Sequence, residues 1–370
     1  MLPAMAPKPK IAIVGPGRLG TALALQLKRA GYTVSEVLSH NNARSRQKAR
    51  ALARKVGAVQ WAESNASLEA DLIWFCVPDR QIAATARDFS LRAKWKGKIA
   101  FHSSGALSSN ELDALRRRGA AVASVHPMMT FVQGSIPSLE DVPFAAEGDA
   151  PAMRSARRIA RDLGGEAFTI RPRHKAAYHA WGAFASPLLV ALLVTGERLA
   201  RSAGLSAADA RRKMMPILKQ TLANYARLGP AGAFSGPIIR GDAEVVRKHL
   251  RALSKVPGGR DVYLALARVA LRYLPARNRK ELSRALASRL TPLGAVEIGD
   301  KVRVTDFPPS VKEMELQTRS VFKRCVGKVF PVTGFQKGLI ELEVGRVVGK
   351  FPATHSIWIE PDFLQRADDE

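Results

Sequence analysis

Cysteine is scarce: Cys76 and Cys325 are the only two in 370 residues and stand far apart. So sparse a pair argues against a disulfide scaffold and for a reducing compartment, the cytoplasm. Long apolar runs are lacking as well. The most apolar helical stretch, Phe184–Val194, is too short to span a bilayer and is bounded by Glu197 and Arg198, so a buried core helix and no membrane partner are expected. The segment Met1–Lys10 has lysines and prolines but no apolar centre, which does not fit a signal peptide. No third His, Cys or carboxylate recurs at ligand spacing, and no G-x-S-x-G elbow is present, so neither a metal centre nor a Ser-His-Asp hydrolase is expected. There is no internal repeat and no low-complexity tract.

Acidic residues are in short supply. Against 58 Lys and Arg stand 32 Asp and Glu, a net charge of +26. Basic residues exceed acidic ones by 8 over residues 1–150 and by 19 over 151–290, then fall one short over 291–370. The change near residue 290 marks a domain boundary. The arginines of the middle segment are spread over several helices without interleaved aromatics, so a solvated face is favoured over a nucleic-acid surface.

Three domains are expected: 1–170, 171–290 and 291–370. The first third alternates strand and helix signals, with strands at Lys10–Val14, Thr33–Leu38, Leu72–Val77, Lys98–Phe101 and Ala121–Val125. That alternation predicts an α/β fold with a doubly wound parallel Rossmann sheet, extended by Pro143–Ala146 and Ala167–Ile170 around a helix Pro151–Leu163. Residues 172–288 read as helix throughout, with a break at Ser186-Pro187, an N-cap at Ser206 and a loop Gly229–Gly241 delivering Asp242 as a cap. After Thr291-Pro292, short strands in Val296–Val304, Val326–Pro331, Leu339–Val344 and Ser356–Ile359 predict a small all-β module, an SH3-like barrel.

The strongest motif is Ile11-Ala-Ile-Val-Gly15-Pro16-Gly17-Arg18-Leu19-Gly20, an apolar strand running into a G-x-G-x-x-G loop. Gly15 allows the tight turn, Gly17 lets backbone approach a pyrophosphate, and Gly20 lets the helix Arg18–Ala30 pack closely. The helix N-terminus is then aimed at the phosphates. About 20 residues on, where an acidic residue would select NAD, the chain reads Leu38-Ser39-His40-Asn41-Asn42-Ala43-Arg44. With no carboxylate there, Ser39, His40, Asn41 and Arg44 are candidates for a 2′-phosphate, and NADP is favoured over NAD. Cys76, Val77 and Pro78 end a strand at the ligand-binding edge, and Ile82 is a candidate for packing on the cofactor.

Two further strand ends reach the same edge. His102-Ser103-Ser104-Gly105 offers hydroxyls for the cofactor (Ser103, Ser104) and a substrate cradle (Ser104, Gly105). His102 is either a proton-transfer group or a buried structural histidine. His126 is a second rim histidine. Lys175, Tyr178 and His179 lie at i, i+3 and i+4, hence on one helical face, where Lys175 and His179 are candidate proton donors and Tyr178 a substrate contact. Arg240, in Gly236-Pro237-Ile238-Ile239-Arg240-Gly241-Asp242, is a candidate anchor for an anionic substrate group.

Together these motifs, with Val77-Pro78-Asp79, His126-Pro127-Met128 and His249, resemble a bacterial family of Rossmann-like oxidoreductases with a helical second domain of uncharacterised function. The resemblance covers roughly residues 10–255. It implies kinship with 6-phosphogluconate-dehydrogenase-like helical domains and with pyrroline-carboxylate and ketopantoate reductases, which bind NADP in the first domain and commonly dimerise through the second. This chain departs from the family at Ser186-Pro187, where the family pattern is Ser-Asn, which puts a substrate contact in question. The expected function is hydride transfer between NADPH and a small C=O or C=N substrate held between the Rossmann and helical domains. The alternative is an NADP-binding sensor or adaptor whose C-terminal barrel recruits a partner.

Overall fold

The computed structural model describes residues 7–63, 68–287, 296–308, 311, 314–336, 338–349 and 355–367. The first six residues and the Thr291-Pro292 break lie outside them. The chain forms two compact units, Met1–Val190 and Ala191–Glu370.

The first unit alternates as its pattern requires: β1 (Ile11–Val14), α1 (Arg18–Arg29), β2 (Val34–Ser39), α2 (Ala43–Val56), β3 (Val59–Ala62), β4 (Leu72–Phe75), α3 (Asp79–Ser90), β5 (Ile99–His102), α4 (Asp113–Arg116), β6 (Ala121–Pro127), β7 (Pro143–Gly148), α5 (Ala150–Asp162), β8 (Glu166–Thr169) and α6 (Lys175–Ala185). The eight strands are ordered β3-β2-β1-β4-β5-β6-β7-β8. Every pairing is parallel except β6 with β7. Strand β3 was not anticipated, because Val59–Ala62 is too short and too exposed to show a pattern. Buried residues fill both faces: Ile11, Ile13, Leu23 and Trp74 on one, Ala12, Val14, Phe75 and Phe89 on the other. This double burial is why β1 and β4 are continuously apolar.

α7 (Pro187–Ser202) leads into the second unit, with α8 (Ala207–Ala233), α9 (Pro237–Arg240), α10 (Ala243–Leu253), α11 (Gly259–Tyr273) and α12 (Arg279–Ala287). Pro187 opens α7, and Ser186 leaves helical geometry at φ −129°, ψ −83°, which is the expected proline break. Ser206 caps α8 by accepting from the Asp209 amide, and Gly229, at φ 70°, interrupts that helix. α10, α11 and α12 share a core around Val246, Leu250, Leu271 and Leu282. Residues 172–202 are long and apolar enough by length and composition to cross a membrane; only 6 % of their most apolar 18-residue window is buried, and α7 buries none of its residues. The expectation of a buried core helix therefore fails within this chain: the apolar spacing shows that a face needs covering and says nothing of what covers it.

Beyond residue 296 come β9 (Lys301–Val304), α13 (Leu316–Cys325), β10 (Val329–Gln336), β11 (Leu339–Glu343), α14 (Gly345–Val348), β12 (Ser356–Ile359) and β13 (Leu364–Arg366). The strands form an antiparallel sheet ordered β12-β11-β10-β9-β13, and α13, an addition to the expected pattern, contributes Val321, Phe322 and Cys325 to its core.

The β1–α1 turn is set by close packing. Gly15 has φ +96°, in the region glycine alone adopts freely, and a Cβ there would lie 2.7 Å from the Cys76 carbonyl oxygen. A Cβ on Gly20 would lie 2.2 Å from the Gly15 carbonyl oxygen, so the helix rests directly on the turn. Gly20→Ala is expected to lower unfolding stability in urea by about 1–3 kcal/mol, whereas Gly17→Ala, whose Cβ would meet nothing within 4 Å, leaves the midpoint nearly unchanged. Equal midpoints for the two variants would refute this packing argument.

Candidate active site

Gly15, Pro16, Gly17, Cys76, Val77 and Pro78 line one cavity of about 370 Å³ with His40, Asn42, Arg44, Ser45 and Lys48. The strand ends and the start of α2 thus converge as the sequence pattern predicts. Space left open above Gly17 is where a nucleotide backbone would lie. Ser39 Oγ, fully buried, has no hydrogen-bond partner among the described residues, an orphan hydroxyl at the end of β2. These features fit a dinucleotide. Asn42 caps α2 by accepting from the Ser45 amide at 2.8 Å. Asn42, Ser45 and Lys48 were missed in sequence. The signal that could have found them is the capping spacing Asn42-x-x-Ser45, which places the first turn of α2 beside the glycine loop.

Several cofactor candidates do other work. Asn41 accepts from Arg46 at 3.2 Å, and Leu19 packs on the core. Arg18 is exposed in the first turn of α1. Ile82 is 1 % exposed and packs inside with Leu38 and Phe75, which corrects its proposed contact with the cofactor: its position on α3 turns it toward the sheet. His40 is held on both sides, by Glu63 through Nδ1 at 2.9 Å and by Gln81 through Nε2 at 3.1 Å. A carboxylate thus does reach this end of the cavity, contrary to the reading of the β2 end alone. Glu63 follows β3 and is brought in by sheet pairing; burial raises its pKa.

At the ends of β5 and β6, the loop 102–108 is a closed hydrogen-bond system. His102 is fully buried; its Nδ1 accepts from the Ser104 amide at 3.1 Å and its Nε2 donates to the Ser108 carbonyl at 2.9 Å. Both nitrogens are spent, and burial pushes its pKa down to about 4. His102 is therefore structural, and its candidacy as a proton-transfer group is corrected. The Ser103 hydroxyl accepts from Trp74 Nε1 at 2.8 Å. Ser104 Oγ donates to Asp79 at 2.8 Å and accepts from the Ala106 and Leu107 amides. Both serines thus have partners within the protein and help to shape the loop.

Lys175 has no exposed surface. Its Nζ donates to the Ser104 carbonyl at 3.1 Å and to Ser124 Oγ at 2.8 Å, tying α6 to the loop after β5 and to the middle of β6. Burial lowers its pKa to about 8, with Glu147 and Asp79 opposing the shift. Ser124, absent from the sequence candidates, also donates to the Ser104 carbonyl at 3.2 Å. One turn further along α6, the Tyr178 hydroxyl is hydrogen-bonded to His126 Nδ1 at 2.8 Å. Burial raises the phenol to about 12, while burial and the Lys175 charge lower His126 to about 4. The His179 ring lies edge-on to His126 with centroids 6.0 Å apart. Gly105 is wedged against both imidazoles: a Cβ there would fall 2.5 Å from His179 Cδ2 and 2.9 Å from His126 Nε2. The structure thus brings Gly105, His126, Lys175, Tyr178 and His179 together. Arg240 belongs to the second unit, where its Nε donates to Asp242 at 2.8 Å, and His249 pairs with Tyr263 at 3.2 Å.

Both low-lying imidazoles bear on stability. Below pH 6.5 the unfolded chain takes up protons at His102 and His126, while the folded chain does so only near pH 4. The unfolded state then binds more protons, so stability falls as pH drops through that window. Urea titrations of His102→Gln and His126→Gln between pH 7 and pH 4 are expected to show a shallower loss than the parent; identical slopes would refute the assignment.

Comparison with known proteins agrees with this architecture. Residues 4–127 match a Rossmann-like domain, and residues 142–270 match the domain of unknown function DUF2520. No curated protein sequence matches the chain. Among solved structures, a Bacteroides fragilis protein assigned as an NADP oxidoreductase is similar with a TM-score of 0.61 at 23 % identity, over 71 % of this chain and 97 % of that one. A Thermotoga maritima protein gives 0.56 at 25 % identity, over 74 % and 98 %. A reductive aminase from Aspergillus terreus, in complex with NADPH, gives 0.53 at 19 %, over 75 % and 99 %. The likeness establishes a Rossmann-type sheet followed by a helical domain.

Proposed function

We propose that the protein is an NADPH-dependent reductase of a small C=O or C=N compound. The observation that carries this reading is the His126–Tyr178 pair at Gly105, set on β6 and beyond the end of β5, in the same sheet as the strands that end at the glycine cavity. The NADP binding and reductive amination named for the similar proteins support it.

Gly15, Gly17 and the start of α1 would hold the pyrophosphate, and Ser39, Asn42, Arg44, Ser45 and Lys48 the adenosine end, where two exposed cations favour a 2′-phosphate. Bound NADPH supplies a hydride to carbon; the protein orients it and delivers the proton. Tyr178 donates its O–H to His126 Nδ1, which leaves the proton on Nε2, the nitrogen beside Gly105. From there it passes to the substrate heteroatom while Nδ1 takes the phenol proton. A neutral imidazole suits this task because its hydrogen bond sharpens as negative charge develops on the heteroatom. Lys175 is a positioning residue: it fixes the Ser104 carbonyl and keeps His126 neutral through its charge. His179, exposed on the next position of α6, is left facing the substrate side.

NADPH oxidation across small 2-oxo acids, cyclic imines and ketone–amine mixtures is the test. His126→Gln is expected to lower kcat about 100-fold and Tyr178→Phe somewhat less, with NADPH affinity retained. The double variant Arg44→Ser, Lys48→Ser should weaken NADPH by about tenfold or more, since charge-assisted contacts contribute about 1.5–3 kcal/mol, and leave NADH nearly unaffected. Tight NADPH binding with no turnover across the panel would overturn the reductase reading in favour of an NADP-binding sensor.

The protein is further proposed to be a homodimer through its apolar helices. Leu188, Val190 and Val194 on α7 and Ile217, Leu222 and Tyr225 on α8 are about half exposed or more, and large apolar side chains left in water in such number mark surface that a partner covers. Light scattering should give twice the chain mass of 40.2 kDa, and Val190→Glu should shift it toward monomer. A monomeric parent would refute the dimer, and recovery of the chain in lipid vesicles would assign the face to a membrane.

A further inference from the structure

A second groove in the first unit lies apart from the glycine cavity. It has a volume of about 640 Å³, within the range of small-molecule sites. Its walls are α5, the end of β8 and the strand end Glu147–Gly148. Arg154, Arg157, Arg171 and Arg116 line it. Two carboxylates do too, but both are committed. Glu147 is buried and accepts from the Ser109 amide at 2.6 Å and its hydroxyl at 2.8 Å. Asp149 accepts from the Val122 amide at 2.9 Å and pairs with Arg116 at 3.1 Å, and Arg116 also pairs with Asp113. The other three guanidiniums have no carboxylate partner among the described residues. Arg154 and Arg157 stand at i, i+3 on one face of α5, and the Thr169 hydroxyl accepts from Arg157 Nη2 at 3.2 Å, fixing one fork at the groove.

Three like charges gathered on one concavity repel one another, an arrangement that an anion would relieve. Planar guanidinium forks match oxyanions bidentately. We propose that this groove binds a small molecule carrying clustered oxyanions, a phosphorylated or polycarboxylate compound, independently of the nucleotide cavity.

The test uses the full chain carrying Arg44→Gln and Lys48→Gln, which removes the cations of the nucleotide cavity. Calorimetric titration with inorganic pyrophosphate and with citrate is expected to show one site per chain, and the stronger probe identifies the class. Adding Arg154→Gln and Arg171→Gln should weaken that binding at least tenfold, with melting temperature retained. Thr169→Val, which frees the Arg157 fork, should weaken it a few-fold, and Arg154→Lys should retain part of it. Absence of binding in the starting variant would overturn the proposal, as would affinity unchanged by the arginine substitutions. A DNA duplex that binds with the same arginine dependence, where neither small anion does, would also overturn it and make the face a nucleic-acid surface.

Discussion

A lysine with no exposed surface governs the candidate active site. An ammonium group taken out of water must be met by acceptors, and Lys175 is met by the Ser104 carbonyl and the Ser124 hydroxyl. The bonds run from the first turn of α6 to the loop after β5 and to the middle of β6, so the helix is docked on the sheet at its N-terminus. Once it is docked, the helical repeat decides the rest. Tyr178 and His179 follow at i+3 and i+4 on the same face, which sets the phenol against His126 and the second imidazole beside Gly105. An uncharged side chain at 175 would still pack, but the Ser104 carbonyl would then be left to the Ser124 hydroxyl alone.

The same loop shows how crowded polar groups become rigid. Within 102–108 the buried polar groups are tied to one another: His102 bridges the Ser104 amide and the Ser108 carbonyl, and Ser104 bridges Asp79 and two amides. A satisfied network of this kind strengthens itself at low local dielectric. It also separates the two histidines that the sequence offers as equals. His102 is enclosed by its own loop, whereas His126 keeps one nitrogen toward Gly105.

Legibility in the sequence followed the locality of the cause. The glycine turn, the strand ends at His102 and His126, the Lys175–His179 face and the break at Ser186-Pro187 are all set by neighbours within a few residues, and they could be read. What arises from sheet pairing could not. Glu63 reaches His40 because β3 lies beside β2, and Ser124 meets Lys175 because β6 lies beside β5. The antiparallel turn at β7 escaped for the same reason, since an apolar run has no direction. Ile82 failed differently: it stands on the helix that follows β4 and Pro78, but α3 turns that face inward.

The placement of acidic residues in the first unit also bears on its surface charge. Several of its carboxylates are occupied within the fold. Glu36 accepts from the Leu68 and Ala70 amides, Asp71 from the Lys10 amide, Asp149 from the Val122 amide, and Glu147 from Ser109. Asp79 receives the Ser104 hydroxyl and Asp162 that of Tyr32. A carboxylate spent on backbone amides and hydroxyls keeps its charge, and only some of these also meet a cation, as Asp149 meets Arg116 and Asp162 meets Lys8. Arginines on α5 and after β8 are therefore left facing water and one another. Acids turned inward thus hold strand ends and loops, and arginines are left on the outward face of α5. The Ser104–Asp79 bond puts the polar network of the candidate active site under the same rule.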